Sequence, residues 1–123
     1  MKNLFFAFYL LSFNLFASHS VISCKSLKLE NEQYFATLVS NTSDFKDAEI
    51  KIVQRSDNQM IQNTYESYFS QFPSMFVFGD DENFELKIDL GSDYYPQNNK
   101  KYQATLELFG QTKLLDVFCF FKH

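Results

Sequence analysis

The chain has 123 residues, room for one modest core and too few for two full-sized domains. Hydrophobic residues make up 46% and charged residues 21%, which excludes a disordered or solvating chain, and 3 Gly with 2 Pro exclude collagen-like and polyproline compositions. The net charge of −4, with no basic cluster beyond Lys100-Lys101, argues against nucleic acid as a partner, because that affinity comes mostly from neutralised phosphates.

At the N-terminus, Met1-Lys2-Asn3 gives a short positive start. Leu4 to Ala17 is an apolar run broken only by Ser12 and Asn14, and Ser18-His19-Ser20 follows as a polar break of small residues. This is the layout of a secretory signal peptide, and the run is shorter than the roughly 20 residues of a membrane-spanning helix. The sequence therefore predicts a signal over residues 1–20, cleaved after Ser20 or alternatively after Ala17, and a single exported domain over 21–123, periplasmic or extracellular. No further stretch could span a bilayer as a helix once the signal is removed. Val21-Ile22-Ser23-Cys24 also resembles a bacterial lipobox, in which Cys24 would carry a lipid anchor, although Ser18-His19-Ser20 separates it from the apolar run.

Period-two alternation then dominates the chain, the pattern of strands with one buried face. Ile22 to Leu29 alternates and slips at Ser26-Leu27, which suggests a bulge. Glu30-Asn31-Glu32 reads as a hairpin turn into Tyr34 to Ser40, which is apolar on both faces and so predicted to be central or covered. After the polar break Asn41 to Lys46, Ala48 to Ile52 alternates until Asp57-Asn58 ends it. Residues 58 to 72 are ambiguous. Met60, Ile61, Tyr65, Tyr68, Phe69 and Phe72 can line a helical face, but the Asn, Gln, Ser and Thr between them are weak helix formers. A strand from Met60 to about Tyr68 fits its neighbours better. Ser74 to Phe78 is a short aromatic run stopped by Gly79-Asp80-Asp81; Phe84 to Leu90 is the clearest strand; Tyr102 to Leu108 repeats its pattern after the loop Gly91 to Lys101. Leu114 to Phe121, after Gly110-Gln111, is again apolar on both faces.

Seven or eight short strands predict an all-β fold: a small antiparallel β-sandwich, for which an immunoglobulin-like topology is plausible, with a closed barrel around a ligand cavity as the alternative. The immunoglobulin marks are incomplete, since Trp is absent and the spacing of Tyr102 to Asp93 does not match a corner tyrosine. Cys24 and Cys119, near opposite ends of an exported chain, predict a structural disulfide. That bond requires the first and last strands to lie side by side, with Cα atoms within about 7 Å.

Little in the sequence points to catalysis, a metal or a cofactor. After signal removal the one histidine is the terminal His123, which offers no base to a Ser or Cys nucleophile. Asp80-Asp81-Glu82 and the looser group of Asp44, Asp47 and Glu49 lack the spacing of a calcium loop. Glu66, flanked by Tyr65, Tyr68 and Phe69, is the residue a carboxylate-dependent hydrolase would use as an acid, if those rings desolvated it. The aromatic content of 19%, with 16 Phe and 7 Tyr, fits both a filled core and a binding surface. Tyr65, Tyr68, Tyr94 and Tyr95, with Phe69 and Phe72, are the candidate binding residues. The expected function is a non-catalytic module that binds a protein or other macromolecule or is associated with the cell envelope, with a carrier of a small apolar ligand as the alternative. Asn41-Thr42-Ser43 matches a glycosylation acceptor triplet in a eukaryotic source.

Overall fold

The computed structural model describes residues 20–28, 31–42 and 44–122; the predicted signal up to His19, Ser43 of the acceptor triplet and His123 lie outside the described residues. Eight strands follow in order: β1 (Ser20–Ser26), β2 (Gln33–Ser40), β3 (Ala48–Ser56), β4 (Gln59–Phe72), β5 (Met75–Gly79), β6 (Phe84–Asp89), β7 (Lys101–Leu108) and β8 (Lys113–Lys122). Each pairs antiparallel with its neighbour in the chain, and β8 returns to pair with β1, so the ladder closes into a barrel. The antiparallel all-β architecture and the adjacency of first and last strands agree with the sequence reading. The connectivity does not follow the crossed order of an immunoglobulin domain. Two-residue turns at Asp57-Asn58 and Pro73-Ser74 leave consecutive strands no route except to pair with each other.

The alternation in the sequence becomes an inner and an outer wall. Ile22, Cys24, Ala36, Leu38, Ile50, Ile52, Phe76, Phe78, Phe84, Leu86, Ile88, Ala104, Leu106, Val117, Cys119 and Phe121 are buried in one continuous core. Glu49, Lys51, Lys87, Gln103 and Glu107 alternate with them on the exposed side. Apolar inside and charged outside is the reverse of a membrane-spanning barrel wall. Among the described residues, no helix is long and apolar enough to cross a membrane.

Three local features differ from the sequence expectation. β1 ends at Ser26 and shows no bulge there; the Ser26 hydroxyl instead accepts the Tyr34 amide at 2.9 Å, ending the ladder with a side chain in place of backbone. The outer face of β8 is not covered by the described residues: Leu114 and Phe120 are exposed, and only Phe118 is screened, by the Lys101 ammonium 4.0 Å from its ring centre. Phe45, inside the segment read as a polar break, is buried in the core with a positive φ of 59°. A bulky residue resists that conformation. The ring's contacts offset the strain, because Phe69, Phe76, Phe78 and Phe121 surround it with centroids 5.5 to 6.3 Å away.

Cys24 and Cys119 lie directly opposite each other across the closing β1–β8 seam and form a disulfide, with Cα atoms 4.1 Å apart and 95 residues of separation. With its sulfur in that bond, Cys24 has no thiol to carry an acyl group, which corrects the lipobox reading. In the chain-entropy model a bond closing so long a loop is worth about 4–5 kcal/mol. Replacing both cysteines by alanine is expected to lower unfolding free energy by about 2–5 kcal/mol in a denaturant titration. An unchanged midpoint would show that the β1–β8 hydrogen bonds alone hold the seam.

Candidate functional site

The loop between β6 and β7 is held by several side-chain hydrogen bonds. Gly91 and Asn99 turn the chain in the left-handed region, at φ of 62° and 63°. From β7, the Tyr102 hydroxyl donates to Asp93 Oδ2 of the loop at 2.6 Å and accepts the Gln97 amide at 2.9 Å, while Lys100 Nζ donates to the same Asp93 oxygen at 2.6 Å. The Tyr102 ring is buried edge-on against Phe121, so the loop is anchored to the core through one side chain. The pair dismissed on spacing grounds therefore does act as a tyrosine clamp. It was unreadable from the sequence because the clamp spans this protein's own loop.

The electrostatics follow from these contacts. Hydrogen bonds from Lys100 first, and then from Tyr102, hold the Asp93 carboxyl below the usual carboxylate range. The same Asp93 contact raises the Lys100 ammonium, and burial together with Asp93 raises the Tyr102 phenol.

Above this clamp Tyr94 stands 91% exposed. Between Ser92-Asp93-Tyr94 and the β4–β5 turn, Phe72-Pro73-Ser74, lies a cleft of about 440 Å³. Phe72 on its rim is 54% exposed. The cleft thus carries two solvent-facing aromatic rings on a backbone held by a buried tyrosine, a proline turn and the Leu90 amide bonded to the Ser74 carbonyl at 2.9 Å.

The four candidate tyrosines do not form one face. Tyr65 points inward, half-buried and stacked on Phe84 at 5.8 Å. Tyr68 points outward and lies over Gly79, where an added Cβ would meet its hydroxyl at 2.9 Å. Tyr95 packs edge-on against the buried Phe76 at 6.1 Å. Only Tyr94 is free of such packing in its surroundings, and the sequence reading missed its neighbour Pro73. Glu66 is exposed on the outer wall opposite Glu49, so the desolvated acid expected between rings is not formed: adjacent strand positions face opposite ways, and Tyr65 turns in as Glu66 turns out. Asp80 serves its own turn. Burial raises its carboxyl, but hydrogen bonds from the Asn83 side chain and from the amides of Asn83, Glu82 and Phe84 outweigh that and hold it low. Among the described residues no group of three or more His, Cys, Asp and Glu is placed to hold a metal ion.

At the other end of the barrel a polar network closes the wall. Tyr34 donates to Glu32; Gln54 and Lys113 donate to the same Glu32 oxygen at 2.7 and 3.1 Å; Lys113 also reaches the Tyr34 hydroxyl at 2.9 Å. Tyr34 first, then Lys113, keep the Glu32 carboxyl below its usual range. The network borders a cleft of about 360 Å³, but its polar atoms are committed to one another. Comparison of the chain with protein-family models, with curated proteins and with solved structures returns no match.

Two measurements test the clamp. Tyr102→Phe keeps the buried ring and removes the hydroxyl, and is expected to cost about 1–2 kcal/mol. A carboxyl lowered in the folded state stabilises above the ordinary Asp range, and that contribution disappears as pH falls through its lowered value. Hydrogen-exchange protection of the Gln97 amide should therefore fall between about pH 7 and about pH 2 while the core strands stay protected. Equal protection at both ends would show that Asp93 does not hold the loop.

Proposed function

We propose that this chain is an exported, non-catalytic binding module that recognises a protein or other macromolecule at the barrel end carrying Tyr94, Phe72 and Pro73. One observation carries the reading: a tyrosine 91% exposed on a loop held by the Tyr102–Asp93–Lys100 clamp. An exposed ring on a mobile loop would lose freedom on binding, at a cost of about 0.5–1.5 kcal/mol per ordered side chain and more for the loop. Here the loop is ordered beforehand, and the ring offers rigid contact area with a polar tip, the composition of interaction hot spots. The interior supports the same choice over a ligand carrier, because Phe45, Phe76, Phe78, Phe84 and Phe121 fill it with buried rings.

Export rests on the N-terminal sequence layout, and the disulfide fits an oxidising compartment. Ser20 belongs to β1, is buried and pairs with Ser40, which favours cleavage after Ala17 over cleavage after Ser20. Intact mass of the exported chain should lack the first seventeen residues and two hydrogens. A full-length mass would remove export from the proposal.

Tyr94→Ala is expected to leave the thermal midpoint within a degree or two, as surface substitutions do. It should also reduce partner recovery from the native compartment at least about tenfold, with Tyr94→Phe retaining most of it. Undiminished recovery with Tyr94→Ala would place the contact elsewhere.

A further inference from the structure

Inside the closed ladder one strand is paired on one side only for much of its length. β4 pairs with β3 from Gln59 to Ser67, but β5 joins its other side only from Tyr68 to Phe72. The two-residue turn at Asp57-Asn58 makes Ser56 and Gln59 a hydrogen-bonded pair, so the odd-numbered residues of this half of β4 turn their amides and carbonyls toward β3. The turn at Pro73-Ser74 independently makes Phe72 and Met75 such a pair, which turns the even-numbered residues toward β5. Both turns give the same parity. Met60, Gln62, Thr64 and Glu66 therefore aim their backbone groups away from β3, at a side where no described strand lies.

Natural edges of this length are blunted with lysine, proline, bulges or shortness. Here Gln59 to Tyr65 contains no charged residue and no proline, and every residue from Gln59 to Thr64 is exposed. We infer that this edge is an interface at which a second copy of the chain adds its own β4 antiparallel across a two-fold axis near Asn63. An isologous contact requires a self-complementary segment, and this one is. With Asn63 facing Asn63 of the other copy, Gln62 meets Thr64, Met60 meets Glu66, and Ile61 meets Tyr65 twice. The neutral centre lets two acidic chains approach, and the Glu66 carboxylates fall at opposite ends of the ladder. The ladder supplies about eight inter-copy hydrogen bonds, comparable to the ten or so of an average interface. This inference stands apart from the binding reading of Tyr94, which lies toward the other end of the barrel.

The test uses the exported chain with its disulfide intact. Sedimentation equilibrium from micromolar to submillimolar concentration should show a monomer–dimer equilibrium. Asn63→Lys and Asn63→Glu each place like charges across the axis and should weaken association at least about tenfold, whereas an equimolar mixture of the two should restore it as a heterodimer. Asn63→Cys should yield a disulfide-linked dimer on oxidation, since a non-hydrogen-bonded pair brings Cα atoms to about 4.5 Å. Because residue 63 is exposed, unchanged thermal midpoints should accompany all three variants. A wild-type chain that stays monomeric overturns the inference and leaves the edge for a strand from another protein. A dimer indifferent to both charged variants overturns it equally, by placing the contact on another surface.

Discussion

Pairing β1 with β8 joins the first and last strands of the sheet, the strand contact of greatest sequence separation among the described residues and so the one with the largest loop-closure entropy against it. Without it the barrel would be an open eight-strand sheet with two free edges, and the inner sides of Ile22, Val117 and Phe121 would lose their covering layer. Cys24 and Cys119 act on that weakest step. By linking the strands across the seam they confine the unfolded chain to conformations in which the ends are already near, and they bury two sulfurs in the core at the same point. On the reading proposed above, export and fold are coupled through this bond, because an oxidising compartment is where it forms and persists.

Once the ring is closed, the interior must be filled, and the chain does so with phenylalanine in place of tryptophan. Rings at right angles recur around Phe45, Phe76 and Phe121, the arrangement favoured when ring edges meet ring faces. Phenylalanine carries no polar atom that a dry interior would have to satisfy. Among the described residues, the two buried tyrosines, Tyr34 and Tyr102, are placed at opposite ends, where their hydroxyls leave the core and tie down the loops. The ends of this barrel are thus closed by the same residue type used in the same way.

The strands were legible because one-sided burial writes itself as a period of two, and even the ambiguous 58–72 segment yields to the low helix propensity of its fillers. Ring closure was legible in one bond: two cysteines far apart in the chain, read as a disulfide, imply that the first and last strands touch. Phe45 was not, because a turn composed of Asn, Thr, Ser, Asp and Lys gives no hint that its one aromatic residue folds back into the core at positive φ. The tyrosine surface was only partly legible. Alternation says that Tyr65 and Tyr68 point opposite ways, but not that Phe84 and Gly79 take them up. Likewise, nothing local separates the free Tyr94 from Tyr95, which differ by which ring reaches Phe76.

An eight-stranded barrel is just wide enough to hold either its own side chains or one small ligand, and it cannot hold both. This chain spends its lumen on rings, so on the reading proposed above recognition moves to the outer surface, where rigidity must come from elsewhere. At the β6–β7 loop it comes from a buried phenol clamped to a carboxylate. At the β3–β4 arm it comes from a two-residue turn that fixes which amides face inward and which face out. That second device has a cost. A ladder register pinned from both turns leaves four successive outward positions of β4 with hydrogen-bonding groups that no described strand takes up. The absence of charge between Gln59 and Tyr65 means that only geometry selects among candidates. A copy of the same segment always matches its own length, parity and polarity, which is why self-pairing is the arrangement that the sequence does nothing to oppose.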